Sequence, residues 1–160
     1  MIILGIDPGI GRMGWGIIQI QNSKFKIQNY GCVETKAGLP IEKRLKKIHG
    51  ELIEIIRKHK PEVLAIEELF FGTNAKTAFV VGQARGVVLL TAAEKNIPVV
   101  TYTPLQVKIA LTGYGRAEKA QIGQMVKVLL KLDTIPKPDD TADALAIALA
   151  HAFSRKMRVV

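Results

Sequence analysis

Three stretches of this 160-residue chain place carboxylates beside apolar runs. Asp7 closes the run Ile2, Ile3, Leu4, Ile6 and is followed at once by Pro8, Gly9, Gly11, Gly14 and Gly16. Glu67 and Glu68 close "VLAIEE", and Asp139, Asp140 and Asp143 stand at the head of the almost uncharged "PDDTADALAIALAH". Each acid has an ordinary explanation: Asp-Pro-Gly is common turn chemistry, and Asp at a helix start caps free N–H groups and meets the positive end of the dipole. Three Asp residues nevertheless exceed what one cap needs. Asp140 and Asp143, three apart, share a helix face. Strand alternation puts Glu67 on the face of Val63 and Ala65 and Glu68 on the other, so one of the two can face a given site.

Gathered in one place, such carboxylates repel one another and resist ionisation unless a cation sits among them. An all-oxygen donor set without a Cys or His cluster points to Mg²⁺ or Mn²⁺. The formal net charge of +9 points to a polyanionic partner. A basic protein with an acidic metal pocket suits phosphodiester chemistry, in which Lys and Arg hold the backbone while the metals activate water.

Convergence depends on the elements that carry these acids. Residues 2–7, 14–20 and 25–34 read as strands joined by the short turn-rich segments "PGIGRMG" and "QNSK", an antiparallel meander. From Ile41 the period changes: Ile41, Leu45, Ile48, Leu52, Ile55 and Ile56 recur at helical spacing, with Lys43, Arg44, Lys46, Lys47, Arg57 and Lys58 on the outer face. "PEVLAIEE" and 98–102 read as further strands, and 74–95, 105–111, 117–132 and 139–153 as helices. This order predicts an α/β layer with a mixed sheet flanked by helices, in one domain spanning 1–160. Ligands of such sheets bind beyond the strand ends, where Asp7 and Glu67 lie.

Helix 74–95 is apolar around most of its circumference and holds Gly82 and Gly86, each costing about 1 kcal/mol relative to Ala. Such a helix must be covered on every side, either as a central core helix or by a second copy of the chain packed closely through the glycines. The single Cys32 cannot form an internal disulfide, the N-terminus does not read as a signal peptide, and no apolar run approaches the ~20 residues of a membrane span. The expectation is a cytoplasmic protein with no membrane association.

The ordered series "GIDPGIGRMGWG", "AIEELFFGTNAKTAFVVGQARG", "QVKIALTGYGRAEKAQI" and "DDTADALAIALAH" closely resembles the RuvC family of bacterial Holliday-junction resolvases, from Ile2 to about Ala152. The resemblance implies a ribonuclease H-like fold with a mixed five-stranded sheet and a homodimer. Its implied activity is Mg²⁺-dependent nicking of two like-polarity strands of a four-way DNA junction, in recombination and repair, leaving 5′-phosphate and 3′-hydroxyl ends. It places the catalytic acids and ligands of two Mg²⁺ ions, with Mn²⁺ as a substitute, on Asp7, Glu67, Asp140 and Asp143. The position of Asp140 is His in some members, and Met13 stands where Thr is frequent. By the same resemblance Phe70 is the loop aromatic at the junction centre, Thr73 and Asn74 help read bases, and Lys108, Lys119 and Arg116 contact phosphates. Gly82 and Gly86 fall at the dimer interface, and RuvA and RuvB, the branch-migration proteins, are expected partners.

Other classes share parts of the pattern. A junction-binding protein that never cuts would use the acids as caps and turns. The YqgF-like nucleases share a glycine-rich "GID" start but are shorter and lack the "GQARG" and "DDTADALA" segments. Sugar-kinase or actin-like ATPases need two such domains where this chain has room for one.

Overall fold

A computed structural model of the chain describes residues 1–22, 24–69 and 75–157. Strands β1 (Ile2–Asp7), β2 (Arg12–Gln21) and β3 (Lys24–Glu34) form the antiparallel meander. After α1 (Ile41–His59), β4 (Val63–Glu67) returns parallel to β1. Then α2 (Ala75–Glu94) leads to β5 (Val99–Tyr102), parallel to β4, and α3 (Pro104–Thr112), α4 (Lys119–Leu129) and α5 (Asp139–Met157) complete the chain. The sheet order is β3-β2-β1-β4-β5, the mixed five-stranded sheet expected.

The helices divide between the two faces of the sheet. Ile3, Ile18, Val63 and Ala65 pack against α3, α4 and α5, while Leu4, Ile6, Ile17, Leu64 and Ile66 pack against α1 and α2. Central strands β1 and β4 are therefore apolar on both sides, as strands covered on both faces must be. The inner face of α1 is formed by Ile48, Leu52, Ile55 and Ile56; Ile41, expected to join it, is exposed at the helix start.

Several boundaries moved. Strand β2 starts at Arg12, so the first turn is confined to Pro8–Gly11. The helix expected over 117–132 runs only Lys119–Leu129; at its start the Glu118 N–H donates to Gln121 Oε1 (2.7 Å), which marks Glu118 as the cap. Thr103 and Gln106 form a reciprocal capping box at the start of α3, which runs Pro104–Thr112, one residue longer at each end than expected. Helix α5 runs to Met157, beyond the expected Phe153.

Helix α5 lies against β1 and β2 at backbone distance. A β-carbon on Gly5 would overlap the Ala144 carbonyl, one on Gly14 the Asp140 carbonyl, and one on Gly16 the Leu145 side chain. Of the glycines that follow Asp7, Gly14 and Gly16 thus have the chain's own helix as their close neighbour. The seam is completed by Thr141, fully buried, whose hydroxyl donates to the Gly31 carbonyl (3.3 Å).

Candidate active site at the strand ends

Asp7 is the last residue of β1, on the same strand face as Ile3 and Gly5, the face covered by α5. Glu67 is the last residue of β4, one step past the Ile6–Ile66 pairing and on the face of Val63 and Ala65. The α5 seam brings the first turn of that helix to these two strand ends. Asp7 consequently senses Asp143, Glu67 and Asp140 as neighbouring negative charges. Glu68 is exposed, as alternation required of one member of the pair.

Burial and like charge act in the same direction here. Desolvation first, then the charges of Asp143, Glu67 and Asp140, raise the Asp7 carboxyl from 3.8 to about 8, with Lys119 opposing. Glu67 is raised by desolvation and by Asp143, and Asp143 by desolvation against the pull of Lys119. The Lys119 ammonium lies 2.8 Å from Asp143 Oδ2, and that hydrogen bond holds its own pKa above the usual lysine value. Among the described residues no three His, Cys, Asp or Glu side chains stand close enough to hold a metal ion together. The acids are near enough to oppose one another's ionisation, and Lys119 supplies the positive charge beside them.

The three Asp residues of the α5 start separate in role. Asp139 is exposed and bonded by Lys137 (2.8 Å), which holds its carboxyl below the usual range. Asp140 is partly covered and faces the Arg12 guanidinium (3.9 Å). Asp143 opens onto a cavity of about 200 Å³ that it lines with Glu67, Lys108 and Lys119 over a floor of Val107, Ile122 and Ile147. Lys108 and Lys119 thus border the acids. Arg116 does not: it is exposed in the segment before α4, with no ion pair among the described residues.

Phe70, Thr73 and Asn74 lie outside the described residues. Gly82 is half-buried, and a β-carbon there would meet the chain's own Leu69 (3.3 Å), whereas Gly86 is exposed with nothing within 4 Å. On the same side of α2, Phe79 is 67% and Leu90 56% exposed.

One group escaped sequence reasoning. Arg85, in the middle of apolar α2, donates from Nε to the Glu67 carbonyl (3.2 Å) and from a terminal nitrogen to Thr101 Oγ1 (3.3 Å), tying the ends of β4 and β5 together. A lone arginine in an otherwise apolar helix was the available signal.

The family model described as "Crossover junction endodeoxyribonuclease RuvC" matches residues 3–151. A relative of that name from Desulforamulus reducens is 55% identical over 152 residues, covering 95% of this chain and 93% of its own. The structure of Thermus thermophilus RuvC superposes with a TM-score of 0.92 at 40% identity, covering 99% of this chain and 97% of that one. A second T. thermophilus RuvC structure, in complex with a Holliday junction substrate, gives 0.90 at 38% identity, covering 98% and 96%.

Proposed function

Since the chain belongs to the RuvC family of crossover junction endodeoxyribonucleases, we infer that it resolves Holliday junctions by hydrolysing phosphodiester bonds in DNA. The observation that carries the reading is the approach of Asp7, Glu67, Asp140 and Asp143 at the ends of β1 and β4, near enough for the last three to oppose the ionisation of Asp7, with Lys108 and Lys119 lining the cavity beside Glu67 and Asp143. RuvC nucleases in general depend on a divalent metal. The residues here fit one by the chemistry of their donors: four hard carboxylates, three of them resisting ionisation, with a lysine ammonium among them as the neutralising cation. We assign Asp7, Glu67, Asp140 and Asp143 as the groups that hold Mg²⁺, two ions per site, with Mn²⁺ as a substitute. A bound divalent ion supplies an activated water and stabilises the leaving oxygen.

The chain's own residues do the rest. Asp7 keeps its proton at neutral pH when no cation is present and releases it when one neutralises its surroundings. Lys119 orients Asp143 through their 2.8 Å bond and, with Lys108, meets the phosphates beside the scissile bond. Val107, Ile122 and Ile147 line the cavity with apolar surface beside the acids, which strengthens the charge interactions next to them. Arg116 contributes a more distant phosphate contact, while Phe70 stacks on a base opened at the junction centre and Thr73 and Asn74 help read bases. The exposed Phe79–Gly86–Leu90 stripe of α2 supports a homodimer, whose two-fold symmetry suits paired nicks in two strands of like polarity. No described helix is long and apolar enough to cross a membrane. The same reading assigns the protein to the cytoplasm, to recombination and repair, and to work with RuvA and RuvB.

The test is a synthetic four-way junction incubated with protein and Mg²⁺, the cuts mapped strand by strand. The expected result is a symmetric pair of nicks bearing 5′-phosphates, lost in Glu67→Gln. Tight junction binding by the wild type without any cut would make it a junction-binding protein instead.

A further inference from the structure

Lysines on the outer face of a helix are solvated charges by default, but one basic group on α1 is built into its surroundings. Arg44 is half-buried and donates from Nε to Thr35 Oγ1 (2.8 Å). The Thr35 hydroxyl in turn donates to the Ile10 carbonyl, and the Thr35 N–H to the Gly11 carbonyl (3.0 Å). This relay lays the guanidinium over the turn that follows Asp7: a β-carbon on Gly11 would lie 3.7 Å from an Arg44 terminal nitrogen. Those terminal nitrogens carry no hydrogen bond or ion pair among the described residues. The chain pairs other cations with carboxylates, Arg57 with Glu54 at 2.6 Å and Lys119 with Asp143 at 2.8 Å. At Arg44 it fixes the fork and leaves its outer N–H groups open, the arrangement that suits two oxygens of one phosphate.

Helical spacing puts Lys43 and Lys47 on one side of α1 beside Arg44; both are exposed and without an ion pair among the described residues. Further along the helix Glu51 and Glu54 end the basic strip. Lys108 and Lys119 belong to helices packed on the opposite face of the sheet. The acids at the strand ends therefore lie between two basic surfaces, one on each layer.

We propose that Arg44, with Lys43 and Lys47, forms a second phosphate-binding track on α1 that holds the backbone of a junction arm on the layer opposite α3 and α4. The proposal rests on the junction reading above and adds a contact surface outside the acid site. DNA is favoured over an acidic protein partner because Arg44 lies over the turn that directly follows Asp7, where the substrate strand must pass.

The experiment measures junction affinity of the full-length protein across a salt series for wild type, Arg44→Gln and the double variant Lys43→Ala/Lys47→Ala, with thermal melts alongside. Each lost phosphate contact should flatten the slope of log K against log salt by about 0.9, so with both protomers on one junction Arg44→Gln loses about 1.8 and the double variant about 3.6. The lysine pair is exposed, so its variant tests the track even if Arg44→Gln unfolds. Unchanged slopes in folded variants overturn the proposal and leave the strip to solvent or to an acidic protein. A wild type with no salt-dependent junction binding overturns the underlying junction reading, a result distinct from flat variants of a wild type that binds.

Discussion

Glycines under α5 and glycines on α2 do opposite work. Gly5, Gly14 and Gly16 have the chain's own helix where a side chain would be, and that contact delivers Asp140 and Asp143 to Asp7. Gly86 has open space on a face where Phe79 and Leu90 are exposed. Gly82 is intermediate, its missing side chain making room for Leu69. A glycine read from sequence marks a close approach without saying what approaches. At the seam the neighbour is α5; on α2 we assign a second copy.

The largest effect should come from Gly14→Ala, which drives a methyl into the Asp140 carbonyl and pushes the α5 start away from the strand ends. Denaturant melts should show about 3 kcal/mol of lost stability, with nicking abolished. Wild-type stability and cutting would mean that the seam yields easily and does not set the site.

Asp7→Asn should abolish nicking while junction binding survives, since the basic contacts are spread over the surface. It should also change the pH dependence of metal-free stability. Below about pH 4 the Asp7 carboxyl is protonated folded or unfolded; between about pH 4 and pH 8 only the folded state keeps the proton, so wild-type stability falls as pH rises. The variant's advantage should therefore grow across that window to a few kcal/mol and then level off. A constant difference over the window would show that Asp7 is not desolvated among like charges.

On α2, Gly86→Leu should separate the protomers in sedimentation and convert paired cuts into unpaired ones, with little loss of protomer stability. A monomeric variant that still cuts both strands as a coordinated pair would remove the dimer assignment. Lys119→Ala should flatten the salt dependence of junction binding by about 1.8 for a dimer losing one phosphate contact per protomer and, by removing the opposing charge, raise Asp143 further. An unchanged slope would confine Lys119 to holding Asp143. The smallest effect is expected for Gly86→Ala: with nothing within 4 Å, the better helix former should raise protomer stability by up to about 1 kcal/mol. A loss there would place a hidden close contact on the open face.

Much of the architecture is legible in local pattern. The change from alternating to helical spacing at Ile41 marks α1, and the short turns before it mark the meander, because strand and helix periods are imposed by residues a few positions apart. Alternation within β4 selects Glu67 over Glu68 for the same reason. Boundaries were less legible where capping decided them, as at Glu118.

The sequence by itself determined which residue types were available, the α/β class with its mixed sheet, and the acids and cations suited to phosphodiester chemistry. Only the tertiary structure decided which Asp of the α5 start is drawn off by Lys137, that Lys119 bonds Asp143, that Arg85 and Arg44 brace the strand ends and the first turn, and which glycines lie under a helix. Those outcomes depend on burial and pairing between groups far apart in the chain, as Thr141 and Gly31 are at 110 positions. Local propensity carries no information about such partners, whereas a desolvated charge or a helix at backbone distance is defined by them alone.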